Sequence, residues 1–459
     1  NRDKKGSVFM AVLEKLSIQM AKLSEQRHLR AIRDGIVATL PLIIVGSIFL
    51  IIAIPPFPAS WNIAWPKPIQ FQILLPYRMT MFIMALYAVM GIGSSLAKSY
   101  KLDPTTGSIL ATTGFLLTIV PTMITEVAVI TKMVDGKELQ VIAEKGAEGA
   151  DILQKGLGFV MPMTNLGSAG LFVGILISIF AVEVFRFTTK TGFRLKMPDG
   201  VPESVARSFE ALTPAAIVIF TVAAVSYWFQ INLHGIIGKA MEPFIKATDS
   251  IWSVLIIVIL VTFFWSFGIH GVSIVGSLVR PLWLTLLDQN TNALASGGIP
   301  QNIGAEPLYQ WFIWIGGSGC TIGLAILLAT RAKSAYGKTL GRTSIISSIF
   351  NINEPIIFGT PIVLNPILIP PFIITPVASA TIAYLATQMG MVNKVTSTPP
   401  WTLPGPIGAF FATNGDIRAT LLNIFLIGLS VAIYYPFFVK YDKQMLEQEH
   451  AEAKEGEVA

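Results

Sequence analysis

The chain has 459 residues, 53% of them hydrophobic and 13% charged, with a formal net charge of +6. Soluble globular chains carry about 25% charged residues, so the composition excludes a soluble enzyme and calls for a bilayer. The positive balance calls for no nucleic acid: membrane topology and attraction to anionic lipid account for it.

In chain order, residues 1–35 read as an N-terminal amphipathic segment. Phe9, Leu13, Leu16, Met20 and Leu23 share one helical face, with Lys15, Lys22, Arg27 and Arg30 elsewhere, the pattern of a helix lying on a membrane surface. The charged, apolar and cleavage regions of a signal peptide are not in order here, so removal is not expected. A spanning helix needs about 20 apolar residues, and such runs cover 36–54, 79–97, 107–130, 158–185, 215–231, 251–269, 308–330 and 419–439. Between Thr343 and Thr413 the prolines at 355, 361, 366, 370, 371 and 376 interrupt an apolar stretch, which predicts two more spans joined to broken or re-entrant pieces. The expected fold is an all-α polytopic membrane protein of about ten transmembrane helices plus re-entrant hairpins.

Basic clusters lie at Arg27–Asp34, Arg186–Lys196 and Arg331–Arg342, and again at Lys440 and Lys443. The positive-inside rule puts all of them, and both termini, in the cytoplasm. Parity conflicts at the third cluster, because an odd number of runs precedes Arg331; one run is re-entrant, or Val272–Leu287 adds a crossing. The polar insertion Met133–Lys155 is expected outside and the linker Phe187–Leu212 inside. Up to about residue 240 the runs are continuous, whereas from 265 onward they are studded with Gly, Pro and Asn. Irregular backbone at bilayer depth survives only when buried in protein or lining a wet cavity. This divides the chain into a scaffold domain over 36–212, a substrate-binding domain with re-entrant hairpins over 213–439, and a C-terminal tail over 440–459.

Glu354 is the only charged residue between Arg342 and Lys394. A carboxylate at bilayer depth costs on the order of 3 kcal/mol, so such residues are usually functional or paired; the plainer reading leaves its charge in interfacial water. Asn351 and Asn353 flank it, and Pro355 prevents a regular helical turn. His270 is likewise the only titratable group between Asp249 and Arg280, set among Gly268, Gly271 and Gly276. Its plainer reading is an imidazole bonded to backbone. Gln230, Asn232 and His234 end an apolar run, where they either cap a helix or face a cavity. Trp265 and Trp401 offer flat apolar faces, or else belong to the core or the interfacial belt.

Metal chemistry is not expected: no HExxH motif occurs, and the single cysteine, Cys320, sits in a glycine-rich apolar run as a packing residue. The chain has no nucleotide phosphate loop, and no cofactor is expected. A carboxylate, an imidazole, carboxamides and indoles with few cations suit a neutral polyhydroxylated ligand. Two other readings stay open on these residues: an ion-coupled secondary sugar transporter with Glu354 as its proton or sodium site, and a membrane enzyme acting on lipid.

The stretches "SFGIHG", "PDGVPESVARSFEALTP" (Pro198–Pro214), "FNINEPIIFGTPIVLNP" and "PPWTLPGPIGAF" resemble the enzyme IIC membrane component of the bacterial phosphoenolpyruvate-dependent sugar phosphotransferase system, in its lactose, cellobiose and diacetylchitobiose branch. The likeness covers nearly the whole chain, and the second and third stretches are long enough to be specific. It implies a ten-span homodimer in the bacterial cytoplasmic membrane, with one domain for dimer contacts and one that carries the sugar by an elevator-like shift. It also implies uptake of a disaccharide such as diacetylchitobiose or cellobiose. The sugar's 6-hydroxyl would be phosphorylated by a separate cytoplasmic phospho-IIB protein, itself charged by IIA, so the phosphoryl donor residue lies on another subunit. The family's signature His falls on His270 and its Glu on Glu354, the two catalytic candidates. Asn353, Asn232, His234 and Trp401 carry over as sugar contacts, with Gln230 and Trp265 added for their proximity in sequence. Arg194 and Lys196 in the basic linker are candidate contacts for IIB.

Overall fold

The computed structural model describes residues 2–55, 59–134, 137–143 and 151–458. α1 (Arg2–Ser24) and α2 (Arg27–Val37) are separated by a short break at which the Gln26 side chain accepts the His28 and Leu29 N–H groups at 2.9 and 3.0 Å. α1 buries Ser17 and Ser24 and leaves Leu16 and Leu23 exposed, so the apolar face expected of it is only partly turned inward. α3 (Leu40–Ala53), α4 (Lys67–Arg78), α5 (Met84–Ser99) and α6 (Pro104–Leu117) follow. Asp103 caps α6: its Oδ2 accepts the Thr106 N–H at 2.8 Å and the Thr106 hydroxyl at 2.6 Å. Pro104 occupies the first helical position, where no intrahelical N–H bond is lost.

The apolar run over 107–130 is not one helix. α6 ends at Leu117, and past Pro121 the chain enters a three-stranded antiparallel sheet of β1 (Thr122–Val134), β2 (Lys137–Ala143) and β3 (Asp151–Val160), in the order β2-β1-β3. Thr131 faces Gln140, and Thr122 faces Val160. This corrects the all-α expectation locally, and the reason is compositional: "TMITEVAVITKMV" is rich in Thr, Ile and Val, which favour the pleated strand. The run over 158–185 is split in the same way, since its helix α7 begins only at Leu171 and ends at Thr191.

α8 (Glu203–Glu210) and α9 (Leu212–Ala223) lead through a π-helical turn to α10 (Leu233–Thr248). α2, α5, α6, α7 and α9 pack into one bundle. At the α5–α6 crossing a Cβ on Gly93 would stand 2.7 Å from the Gly107 carbonyl, so the two backbones touch as small residues allow between membrane helices.

α11 (Ile251–Ser266) and α12 (Gly271–Ala295) open the second half, followed by a one-turn α13 (Glu306–Leu308) and α14 (Ile322–Arg331). The run over 308–330 is therefore broken. Gly316, Gly317, Gly319 and Cys320 all take positive φ, and the left-handed backbone that glycine permits stops the helix there. α15 (Ala335–Ile349), α16 (Glu354–Gly359), α17 (Ile369–Gln388), α18 (Gly405–Ala412) and α19 (Ile417–Val458) complete the chain. α11, α17, α14, α15, α18 and α19 form the second bundle, and α12 reaches from it to α1, α2 and α10.

Among the described residues seven helices are long and apolar enough to cross a membrane, or eight if α10 and α11, bent by 74° at their junction, are one broken span. The fold is that of a helical integral membrane protein. Residues from 440 onward continue α19 as helix to Val458. Glu449 on that extension accepts the Ala335 and Tyr336 N–H groups at 3.1 and 2.9 Å, so the third basic cluster lies on the same side as the end of α19.

Candidate functional site

α11 stops at Ser266, Gly268 turns the chain at φ 79°, and His270 caps α12. Its Nδ1 accepts the Ser273 N–H at 3.3 Å and lies 3.1 Å from the Ser273 hydroxyl. A neutral ring whose Nδ1 accepts carries its proton on Nε2, which leaves an N–H donor for a ligand. Against the imidazole lies Trp265, buried, with ring centroids 4.7 Å apart, and the Phe358 ring of α16 stands 6.3 Å from the same indole.

The His270 turn is fastened to the loop after α16. Leu364 donates its N–H to the Ser266 carbonyl at 2.9 Å, and Val363 comes within 3.3 Å of where a Gly268 Cβ would stand. Glu354 opens α16 with Pro355 next to it. The residue is exposed and enters no hydrogen bond or ion pair among the described residues, and Phe358 on the same helix reaches Trp265 behind His270. An uncommitted carboxylate and an N–H donor on two joined segments are the groups that take and orient a hydroxyl.

Asn351 and Asn353 face the protein. Asn351, at φ 65°, accepts the Gly316 N–H at 3.0 Å and donates to the Trp401 and Leu403 carbonyls at 2.7 and 2.8 Å. Asn353 donates to the Ser318 carbonyl at 2.8 Å and the Thr321 hydroxyl at 2.9 Å. A Cβ on Gly317 would collide with the Asn353 carboxamide, so the close approach requires glycine. Both asparagines thus hold the glycine-rich turn after α13, and Asn351 also holds the Trp401 loop. Trp401 itself is half exposed at 51%.

The remaining candidates gather elsewhere. Asn232 caps α10, accepting the Gly235 N–H at 2.9 Å; His234 is buried with Nε2 2.8 Å from the Thr118 hydroxyl; Gln230 is exposed at φ 53°. Asn232 and His234 line a cleft of about 940 Å³ between the bundles, whose lining includes neither Glu354, His270 nor Trp401. Gln230 and Asn232 border a smaller hollow beside Thr118. Sequence reading missed a buried carboxylate in the cleft's lining, Asp288. Its Oδ2 accepts from the Ser168 hydroxyl at 2.5 Å and from Asn292 Nδ2 at 3.2 Å, and the Tyr77 hydroxyl donates to Asn292 Oδ1 at 2.6 Å. The signal was present, since a carboxylate one residue beyond the optional crossing Val272–Leu287 is as costly to bury as Glu354. Among the described residues no group of three or more His, Cys, Asp or Glu is placed to hold a metal ion.

The fold defines the class, a helical integral membrane protein in which the His270 turn and the Glu354 helix are joined to each other. The family described as "Phosphotransferase system, EIIC" matches residues 33–376. The chain is 36% identical to the cellobiose-specific EIIC component of the phosphotransferase system of Geobacillus stearothermophilus, covering 97% of this chain and 96% of that one. It is 34% identical to the lichenan permease IIC component of Bacillus subtilis (strain 168), over 95% and 94%. Among solved structures it is similar to the transporter ChbC, the IIC component from the N,N'-diacetylchitobiose-specific phosphotransferase system, with a TM-score of 0.83, 36% identity, and coverage of 96% of this chain and 99% of that one. The chain belongs to the EIIC family of the phosphotransferase system.

Proposed function

We propose that this chain is the sugar-translocating permease of a phosphotransferase system, importing a disaccharide of the cellobiose or diacetylchitobiose kind and presenting its 6-hydroxyl to a separate phospho-IIB protein. The observation that carries the reading is the exposed, unpaired Glu354 at the start of α16, a helix joined to the His270 turn by the Trp265–Phe358 ring contact and by the Leu364 N–H bond to the Ser266 carbonyl. The names of the relatives support the sugar class.

In this reading His270 donates to the 6-hydroxyl oxygen while Glu354 accepts its hydrogen. The oxygen attacks phosphorus, the phosphorus–sulfur bond of the IIB phosphocysteine breaks, the thiolate leaves, and the hydroxyl proton passes to Glu354 or to water. Phosphoryl transfer through a loose transition state asks chiefly for alignment. Trp401 covers an apolar sugar face, and Asn353 acts through the turn it holds. Asn232, His234 and Gln230 act from the inter-bundle cleft or its margin, as contacts along the sugar's path.

The protein works as a homodimer in the bacterial cytoplasmic membrane with both termini inside. Residues 36–212 form the dimer scaffold and 213–439 the moving sugar domain. Ten spans result when α6, α11 and the broken segment from α13 to α14 join the seven long helices.

The test is reconstitution in vesicles with phosphoenolpyruvate and the soluble partners, with cellobiose, diacetylchitobiose and lactose in competition. Sugar 6-phosphate should accumulate only when IIB is present. Uptake of unmodified sugar driven by an ion gradient would instead establish the ion-coupled transporter.

A further inference from the structure

Three of the basic clusters differ in how their charge is spent. At Arg27–Asp34, Arg33 pairs with Asp34 at 3.1 Å and with Glu25 at 3.4 Å; in the linker, Arg194 pairs with Glu210 at 3.1 Å, and Arg186 with Glu183 at 3.5 Å. The cluster between α14 and α15 is different. Arg331, Lys333, Lys338 and Arg342 are all exposed, and none enters an ion pair among the described residues.

Two carboxylates of α19 reach this cluster, and both are engaged by its backbone. Asp442 accepts the Lys333 N–H at 2.6 Å, the Ser334 N–H at 3.2 Å and the Ser334 hydroxyl at 2.6 Å, while Glu449 accepts from Ala335 and Tyr336. The extension of α19 thus fixes the first turn of α15 and leaves the four cations pointing outward. That turn is also coupled to the site. The Tyr336 hydroxyl donates to the Gly359 carbonyl, the last residue of α16, and Leu340 packs where a Gly359 Cβ would stand. α16 therefore folds back along α15, and Glu354 lies about 8 Å along the helix axis from the residue that touches Tyr336, by the 1.5 Å rise per residue.

We propose that the Arg331–Arg342 turn, braced by Asp442 and Glu449, is the surface on which the phosphoryl-donating protein docks. The inference rests on the reading that a separate IIB protein supplies the phosphoryl group. That partner must bring a phosphoryl dianion to the membrane surface, and a rigid array of free cations there attracts it and speeds encounter. A protein fits this surface better than lipid headgroups do, because carboxylates stand among the cations and the backbone is pinned into one shape, neither of which anionic lipid attraction needs.

The experiment uses the full chain in phosphatidylcholine nanodiscs with a phosphorylated IIB protein of the cellobiose type. Lys338→Glu with Arg342→Glu should raise the KM for phospho-IIB at least tenfold and flatten its salt dependence, with disaccharide binding unchanged; Lys338→Arg should behave as the unaltered chain does. Equal KM and equal salt slopes in the reversed variant would overturn the docking surface while leaving the function intact. So would a defect that shows only in phosphatidylglycerol nanodiscs, which would assign the cations to lipid. Failure of the unaltered chain to bind phospho-IIB at all would overturn both this proposal and the functional reading.

Discussion

Trp265 lies against His270 with ring centroids 4.7 Å apart and 47° between the planes. The indole is only 3% exposed, so it backs the imidazole from within the core, with the Phe358 ring 6.3 Å from it. Trp265→Ala removes that backing and leaves a cavity under the hairpin tip. Large aromatic-to-alanine changes in a core cost about 3–5 kcal/mol. The expected outcome is a clear fall in melting temperature in detergent together with slower sugar phosphorylation, both largely restored in Trp265→Phe. A variant as stable and active as the unaltered chain would remove the supporting role.

Glu354 tests the chemistry itself. Glu354→Gln keeps the size and hydrogen-bonding capacity but removes the charge and the proton acceptor. If the carboxylate takes the hydroxyl proton, sugar 6-phosphate formation should fall by about 10²–10⁴-fold, while disaccharide affinity changes much less. If it only orients the hydroxyl, the fall should be about tenfold or less. Rates measured at saturating phospho-IIB separate the two cases, and an undiminished rate would sink the assignment of Glu354 to the site.

Glu354 and His270 were legible in the sequence because an isolated charge in an apolar run is physically expensive, and expense is visible without a structure. The breaks in 308–330 and 107–130 were not. Hydropathy averages over a window, so it registers that "WIGGSGCTIGLA" and "TMITEVAVITKMV" are apolar, but not that glycines at positive φ stop one helix and β-branched residues turn the other into a strand. Asn351 and Asn353 looked like pocket lining because their side chains are polar; that their amides are spent on Gly316, Trp401, Leu403, Ser318 and Thr321 depends on contacts about 30–50 residues apart. Asp288 obeys the same cost argument as Glu354. It escaped because the apolar run was taken to end one residue earlier.

Trp401 carries a sharper expectation than its neighbours, since half its surface is open while the Asn351 amide holds its backbone carbonyl at 2.7 Å. An exposed indole on a fixed loop can cover a sugar ring. Aromatic contacts are worth about 0.5–1.5 kcal/mol beyond area burial, which corresponds to about a two- to tenfold change in Kd. Trp401→Ala should therefore weaken disaccharide binding by that factor in calorimetry, with melting temperature little changed. An identical Kd would exclude the indole from the sugar contact.

Asp103, outside the spanning helices, gives a pH-dependent prediction. The hydrogen bonds from the Thr106 hydroxyl and N–H hold its carboxyl below the usual aspartate range, partly opposed by burial, with a smaller contribution from Arg207 at 3.8 Å. A carboxyl lowered on folding stabilises the folded state fully above its unfolded pKa, about 4, and loses that contribution as pH falls through the folded value. Asp103→Ala removes a helix cap and should cost about 1 kcal/mol at neutral pH, with the gap to the unaltered chain closing under acid conditions. Asp103→Asn keeps a capping oxygen that does not titrate, so its stability relative to the unaltered chain should improve as the pH is lowered. Thermal unfolding at pH 7 and at pH 3 reads both variants; a gap for Asp103→Ala that is the same at both would show that the carboxylate form of the cap is not what holds the start of α6.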